Sequence, residues 1–510
     1  MNKRAVINVV SALIVVIGLM ILISGIVGWF MNDQHNVVYQ MYISAAFSIG
    51  FGSVLFLLTK AKNKKFRLGI REGFGIVSLG WIAASAFGCI PFIIISDMFW
   101  YDAFFETMSG FTTTGASVLD DKLLLMNGKT LVYGIADLPK GLLFWRSLTH
   151  WLGGMGIVVL SLAVLPFLGI GGQQLYNAEV PGPTSDQLTP RIANSAKILW
   201  GVYMLLTVVE VFLLWIGNMT MFDAWCTAFG TLATGGFSTQ QSSIGYYNST
   251  YFDVIICLFM FLAGCNFILH YKALRGKPLF HWKDEEFRFY FGLVVLSSLL
   301  IAVLLMLNKI TIYTSAGLEV EPGLFNYLRY STFQVISILT TTGFVTANFN
   351  LWPAFAAILL VTLMFIGGCG GSTGGGMKNS RIILLLKYGK VQLERCLFPH
   401  LVSNVRLNKE RIPTVTLHKV MSFFFFFITV YLIVALALCF LDSNMDFKTS
   451  LSASIAALGN IGPGLGKVGA ICTYSWITPS AKILLSFSML LGRLELYTVL
   501  VLFLPSFWKK

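Results

Sequence analysis

The chain has 510 residues, 56% of them hydrophobic and only 12% charged, with a mean hydropathy of +0.76. Soluble domains carry about 25% charged residues, so a water-soluble protein is excluded. The formal net charge of +13 would suit a nucleic-acid partner, but the placement of the charges gives it another meaning.

Apolar runs long enough to cross about 30 Å of hydrocarbon recur at 7–30, 39–58, 74–96, 147–169, 197–217, 252–271, 288–307, 353–367, 416–441 and 481–504. They predict about ten spanning helices and an all-α polytopic membrane protein. With the N-terminus in the cytoplasm, the inside segments hold about 26 of the 36 Lys and Arg but about 8 of the 23 Asp and Glu. Lys60, Lys62, Lys64, Lys65 and Arg67 crowd one such loop, and Arg395, Arg406, Lys409 and Arg411 another. That is the positive-inside pattern. It accounts for the charge without DNA or RNA, and leaves acidic lipids or an acidic protein surface as contacts.

The first run follows Met1–Arg4 and shows no small-residue cleavage site, so it reads as a retained helix. Residues 1–68 form a two-helix preface. Thereafter one pattern (long helix, short helix, glycine turn, long helix) occurs four times, over 69–172, 191–278, 284–398 and 412–508. The short segments YDAFFETMSGF, FDAWCTAFGTL, LRYSTFQVISIL and FKTSLSASIAAL cannot span a bilayer but suit re-entrant half-helices. Each leads into a turn: TTTGAS at 112–117, ATGGFS at 233–238, TTTGFV at 340–345 and GNIGPG at 459–464. Gly115, Gly235, Gly343 and Gly462 lie roughly 110–120 residues apart, a period far longer than a solenoid repeat.

One such turn is an ordinary helix cap. Four in equivalent places between apolar helices are what a narrow pore needs, because irregular backbone at membrane depth is tolerated only inside protein or along a wet cavity. The negative ends of the half-helix dipoles favour a cation, and four sets of backbone carbonyls can replace its hydration shell. No Asp or Glu occupies the turns, so an acidic-ring filter is disfavoured. The hydroxyls of Thr113, Thr114, Thr234, Thr341 and Thr342 are expected to help. The pattern predicts a cation pore in one polypeptide, four pseudo-symmetric helix–pore-helix–helix units around a central path.

The third unit's second long helix is interrupted by GGCGGSTGGGM, residues 367–377, seven of which are glycine. At about 1 kcal/mol per Gly relative to Ala, no continuous helix favours it. A phosphate-binding loop would close on Gly-Lys-Ser/Thr after a strand, whereas Gly376 precedes Met377 and Lys378 between apolar flanks. A mobile intramembrane loop below the filter, with Ser372 and Thr373 wet, is preferred; close helix packing is the alternative. Arg493 and Glu495 interrupt the last apolar run, and a charge there faces the bundle interior, a partner or water. Arg493 either pairs with a carboxylate or stands below the filter as a barrier to cations. Glu210, inside its own helix, has a packing or a transport role. The eight cysteines show no paired spacing and the six histidines no HExxH-type spacing, so metal, disulfide and enzymatic readings lack support. For Phe423–Phe427, lipid-facing packing is the expectation.

These features resemble the bacterial TrkH/TrkG potassium-uptake subunits, of the superfamily that also holds KtrB and the plant HKT transporters. The resemblance covers essentially the whole chain and rests on the four turns, FIGGCGGSTGGGMK at 365–378, HWLGGMGIVVL at 150–160 and MLLGRLELYTVLVLFLPSFW at 489–508. The two-helix preface is similar to TrkH/TrkG and unlike KtrB. The resemblance implies potassium uptake across a bacterial inner membrane, without catalysis, by a homodimer working with a cytoplasmic nucleotide-binding regulatory subunit, TrkA. It implies a K⁺ filter at Thr113, Thr114, Gly115, Ala233, Thr234, Gly235, Thr341, Thr342, Gly343, Asn460, Ile461 and Gly462. It implies a gate from Gly370, Gly371, Ser372, Thr373, Gly374, Gly375, Gly376 and Lys378 together with Arg493. The fourth turn departs from Thr-Thr-Gly, so fourfold symmetry is only approximate. Serine in the first turn marks the sodium-preferring plant relatives, so Gly115 favours potassium. A sodium-permeable or proton-coupled transporter of the same architecture is the alternative.

Overall fold

The computed structural model describes residues 1–60, 69–131, 134–156, 192–276, 279–400 and 404–509. The second half of the expected span 147–169 and the basic loop at 61–68 lie outside the described residues.

The preface is a hairpin of α1 (Lys3–Phe30) and α2 (His35–Thr59). Its closeness has a local cause. A Cβ on Gly18 would lie 2.7 Å from the Ile49 side chain, and one on Gly52 would lie 2.9 Å from the Ser11 carbonyl. Small residues let membrane helices approach in this way. α1 is half buried while most of α2 faces outward, so α1 joins the hairpin to the rest of the bundle.

Next come α3 (Ile70–Gly88), which continues into the short, proline-started α4 (Ile90–Ser96), the half-helix α5 (Trp100–Phe111) and α6 (Lys140–Gly154). The order recurs as α7 (Ile192–Ile216), half-helix α8 (Met221–Leu232), α9 (Thr250–Ala263) and α10 (Phe267–Leu274). A third set is α11 (Glu285–Leu307), half-helix α12 (Leu324–Leu339), α13 (Ala354–Phe365) and α14 (Asn379–Leu397). The fourth is α15 (Thr414–Leu441), half-helix α16 (Phe447–Leu458), α17 (Pro479–Arg493) and α18 (Tyr497–Leu500). The only strand pairs among the described residues are Ile312–Tyr313 with Glu319–Val320 and Arg406–Leu407 with Glu410–Arg411. The chain is thus an all-α polytopic membrane protein.

Six described helices are long and apolar enough to cross a membrane, and two further pairs are bent by 103° and 112°. This corrects the expectation of continuous helices over 252–271 and 481–504. The first breaks between Ala263 and Phe267 and the second between Arg493 and Tyr497. In the second break Glu495 and Leu496 take φ values of +53° and +56°, and Glu495 reaches Arg381 on α14 in an ion pair. α13 stops at Phe365, where the glycine-rich segment begins. α6 stops at Gly154, followed by Gly156 at φ +74°. Among the described residues, all four second helices therefore end or bend near their half-helix turns, a regularity that hydropathy did not reveal.

The phenylalanine run also divides. Phe424, Phe425 and Phe426 are exposed, but Phe423 and Phe427 are buried, one helical turn apart on the inner face. Phe423 carries the Arg381 guanidinium 4.1 Å above its ring, so the run is not wholly lipid-facing.

Candidate ion pathway

Each half-helix ends in the same Schellman cap. The N–H of the first residue past the cap returns to the helix: Thr113 to Gly110 O at 3.1 Å, Thr234 to Thr231 O at 3.0 Å, Thr341 to Ile338 O at 3.0 Å and Asn460 to Ala457 O at 3.2 Å. The next N–H does so too: Thr114 to Ser109 O at 2.9 Å, Gly235 to Gly230 O at 2.8 Å, Thr342 to Ser337 O at 2.9 Å and Ile461 to Ala456 O at 2.9 Å. Such a cap needs a left-handed residue, ordinarily glycine. Here it is Thr113, Thr234, Thr341 and Asn460, at φ +52°, +54°, +62° and +55°. A β-branched residue in that region is a true outlier, costing on the order of 1–2 kcal/mol. Three of the four turns carry that strain, which in proteins gathers at functional sites.

Two residues further on, a second left-handed position falls on Gly115, Gly236, Gly343 and Gly462, at φ +78°, +80°, +79° and +95°. This moves the second turn by one residue from the sequence expectation: Gly236 is equivalent to Gly115, and Gly235 occupies the place of Thr114, Thr342 and Ile461. The adjacent glycines made the register ambiguous in sequence, and only φ separates them.

These glycines link the turns into a closed ring. A Cβ on Gly115 would overlap the carbonyl oxygen of Gly235, one on Gly236 that of Thr342, and one on Gly343 that of Ile461. The cycle closes with Gly462, whose Cβ would lie 2.6 Å from Thr114 O. Among the described residues no backbone N–H donates to the carbonyl oxygens of Thr113, Thr114, Thr234, Gly235, Thr341, Thr342, Asn460 or Ile461. Buried carbonyls are nearly always satisfied, so a ring of open ones is suited to a cation. The hydroxyls are engaged within the protein. Thr114 Oγ1 meets Thr112 Oγ1 at 2.8 Å, Thr342 Oγ1 meets Thr340 Oγ1 at 2.8 Å, and Thr234 Oγ1 donates to Ala233 O at 2.6 Å. Thr341 Oγ1 accepts from Gly375 N at 2.6 Å.

Side chains that the sequence did not single out hold the ring from outside. On α6, Arg146 and His150 are one turn apart and share a face. Arg146 donates to Glu106 Oε1 of α5 at 2.7 Å and to Ser238 O beyond the second turn at 2.8 Å. The Phe237 ring lies 3.6 Å from the Arg146 guanidinium and stacks on His150 with centroids 4.0 Å apart. His150 Nδ1 lies 2.7 Å from Gly110 O; a carbonyl only accepts, so Nδ1 carries the hydrogen. Lys482 to Asp102 and Arg329 to Asp253 make two further pairs, at 2.6 and 2.7 Å. Between the third and fourth turns an amide serves instead, Asn350 exchanging bonds of 3.0 Å with both Gly466 N and Gly466 O. Arg146 preceding His150 by four residues, with Glu106 in the preceding half-helix, was the available signal.

The glycine-rich segment lies against the same ring. A Cβ on Gly375 would overlap Gly459 O, and one on Gly374 would lie 3.0 Å from Thr340 O. The segment is closed at its neck by a bridge between Ile366 and Met377. It is pinned by Thr373 Oγ1, which lies within hydrogen-bond distance of Leu232 O and Ala263 O at 2.9 and 3.2 Å, and by Lys378, which donates to Gly374 O. Thr373 is buried and Ser372 half-buried, so the pair expected to stay wet is largely withdrawn from water. Gly370 and Gly371 form its outer edge: Gly370 N donates to Glu286 Oε1 at 2.8 Å, and Gly371, at φ +72°, accepts from Phe267 N at 3.1 Å. The same Glu286 oxygen accepts Ser380 N at 2.7 Å, so one carboxylate, missed in sequence, holds both ends. Gly376 takes φ +64°. The Arg493 guanidinium donates to Thr113 Oγ1 at 3.0 Å, Thr373 O at 2.7 Å, Gly153 O at 2.5 Å and Gly154 O at 2.8 Å. It touches turn, segment and the break of α6 together.

The sequence profile of TrkH, described as a cation transport protein, matches residues 38–510. This chain belongs to the TrkH family. It is 39% identical over 514 residues to the Trk system potassium uptake protein TrkH of Escherichia coli strain K12, covering all of both chains. It is 32% identical to the Trk system potassium uptake protein TrkG of the same organism, over 100% of this chain and 99% of that one. The crystal structure of the potassium transporter TrkH from Vibrio parahaemolyticus matches with a TM-score of 0.84 and 34% identity, covering all of both chains. Within the TrkH family, then, the ring of turns and the segment beneath it are features of a transport protein.

Proposed function

We propose that this chain takes up potassium across a bacterial inner membrane, with K⁺ as cargo. Ions pass through the ring formed by Thr113–Gly115, Thr234–Gly236, Thr341–Gly343 and Asn460–Gly462. The observation that carries this reading is the closed cycle in which each glycine abuts a carbonyl of the next turn, while among the described residues no backbone N–H donates to the carbonyls named above. A bare cation is stabilised by several such oxygens at once, and fixed spacing lets them discriminate by size and field strength. The potassium uptake named for the relatives and Gly115 in the first turn favour K⁺ over Na⁺. Each of the four stretches recognised in sequence supplies one quarter of the ring.

The segment at 367–377 with Arg493 and Lys378 is the gate in this reading, and its contact with the turns supports reading this arrangement as closed. Two fixed positive charges beneath a cation path oppose entry, and glycine backbone can withdraw with little steric penalty. A TrkA-like cytoplasmic nucleotide-binding subunit would bias that movement. The working assembly is a homodimer in lipid with its N-terminus and basic loops in the cytoplasm. No catalytic chemistry is involved.

The test is reconstitution of the purified chain in vesicles, with and without the nucleotide-binding partner, measuring K⁺ and Na⁺ flux under matched gradients. Preferential K⁺ flux that the partner increases is expected. Equal flux of both ions would replace the reading with a poorly selective cation transporter, and K⁺ flux that requires a proton gradient with a coupled stoichiometry would replace it with symport.

A further inference from the structure

Glu210 lies on α7, the helix packed against the second half-helix, α8. Its side chain is fully buried, and neither carboxylate oxygen has a hydrogen-bond partner among the described residues. Ionisable residues at such depth are rare and pair with one another or face water. Among the described residues this one has no such partner. The polar group facing it is Thr231 of α8. The Thr231 hydroxyl spends its single hydrogen on Thr227 O at 2.9 Å, so toward Glu210 it offers only a lone pair.

The other titratable or charged groups on the packed elements are turned elsewhere. On α8, Asp223 is held by Thr220 and Thr239, and Cys226 faces Ser147. On α9, Asp253 is paired with Arg329 and faces Cys257. On α10, His270 lies against Leu262 O and His281, and Lys272 sits over Phe280. Tyr203 of α7 itself is the exception, lying within electrostatic reach of Glu210, but its hydroxyl hydrogen goes to Trp151 O at 3.1 Å. No described cation faces the carboxyl. Thr231 also belongs to the last turn of α8, where the helix dipole is negative and disfavours an anion. A bare carboxylate in this setting would bear the full cost of an unpaired buried charge.

We propose that Glu210 is a proton-binding site: the carboxyl holds a proton in this structure, and losing it loosens the second turn of the ring. The route is short. Thr231 O is the acceptor for Thr234 N at 3.0 Å, one of the two bonds that set the left-handed Thr234. A carboxylate forced against Thr231 draws water or shifts α7 from α8, and the cap above it loses its support. Proton loss at alkaline pH therefore reduces uptake, by a mechanism separate from any proton that travels with the ion.

The measurement is infrared spectroscopy of the reconstituted chain, with potassium uptake followed over the same pH range. The parent should show the carbonyl stretch of a protonated carboxyl at neutral pH, shifted in heavy water and absent from Glu210→Gln. Its uptake should fall on the alkaline side as the band disappears, whereas Glu210→Gln and Glu210→Leu keep their uptake there. If no protonated-carboxyl band distinguishes parent from Glu210→Gln, the site does not exist. If the band is present but parent and variants share one alkaline limit, its link to the ring is overturned. Should both variants fail to accumulate, titration of the parent band against parent uptake decides alone: coincident loss supports the proposal and independent loss refutes it. The uptake arm rests on the potassium-transport reading. The infrared arm does not, so failure of one is distinguishable from failure of the other.

Discussion

The ring of turns and the glycine-rich segment below it are both built on glycine, yet different parts of the chain hold them in place. In the ring, backbone fixes backbone: Schellman bonds set each turn, and each left-handed glycine is pressed on a carbonyl of the next. In the segment, backbone bonds close the neck and tie it to Gly264 and Phe267, and side chains share the holding, namely Glu286, Lys378, Thr341, Thr373 and Arg493. Backbone contacts break only with the fold around them. Side-chain contacts can be exchanged one at a time, and an element held that way can have two positions. A selective element and a moving one can thus share a residue type and lie in contact.

The sharpest way to break this comparison is to add a methyl group inside the ring. Gly343→Ala places a Cβ against Ile461 O in a left-handed conformation. Uptake should fall by about fivefold to a hundredfold, since overpacking of this kind costs about 1–3 kcal/mol and each 1.4 kcal/mol is tenfold. The ratio of K⁺ to Na⁺ flux should fall with it. Gly236→Ala should behave likewise, while Gly235→Ala, whose Cβ would lie 2.5 Å from the His150 ring rather than against a carbonyl of the next turn, should be milder. A harsher Gly235 variant would return the second turn to the register read from sequence.

Next comes Arg493→Ala. At an effective dielectric of about 20, a unit charge about 6 Å from a passing cation costs roughly 3 kcal/mol. Flux per folded protein should therefore rise, by up to about a hundredfold, with ion preference unchanged. Lower abundance at unchanged unit flux would make the arginine a structural tie and nothing more.

Smaller still is Glu286→Gln. Charge-assisted hydrogen bonds are about twice as strong as neutral ones, and the two bonds at Gly370 and Ser380 would lose about 1 kcal/mol together. Flux without the cytoplasmic partner should rise about fivefold, and the response to that partner should shrink correspondingly. A tightly closed Glu286→Gln channel at normal abundance would mean that the segment is not released from this end.

The mildest is a control. Gly317 has φ +81° but nothing within 4 Å of its Cβ position. Gly317→Ala should cost about 1–2 kcal/mol of backbone strain, visible as a small loss of thermal stability, and leave flux untouched. A flux defect there equal to that of Gly343→Ala would show that backbone strain, not contact between turns, is what matters in the ring.

Much of this was legible in the sequence because hydropathy and glycine placement act locally. Apolar runs marked the long helices, and short amphipathic segments before glycine marked the half-helices. The breaks at 264–266 and 494–496 were not legible as bends: Gly264, Asn266 and Glu495 stand between apolar flanks, and the bend is set by contacts across the bundle, such as Glu495 with Arg381. The register of the second turn was hidden by adjacent glycines. Glu286 was hidden for another reason: it sits among Asp284 and Glu285 in a short charged stretch that reads as a helix start, and its partners are some 84 and 94 residues away.

The four turns come from one chain, and taken as six-residue segments no two of them are identical. In a pore assembled from four identical subunits, any substitution is made four times at once, so selectivity changes in a single leap. Here a mutation alters one quarter of the ring and leaves three quarters standing. Thr-Thr-Gly at two turns, Thr-Gly-Gly at another and Asn-Ile-Gly at the last show how far the quarters have drifted apart while the same backbone cycle closes. Such a pore can be retuned gradually, and an asymmetric neighbour such as Arg493, which donates to Thr113 of the first turn, has somewhere to act.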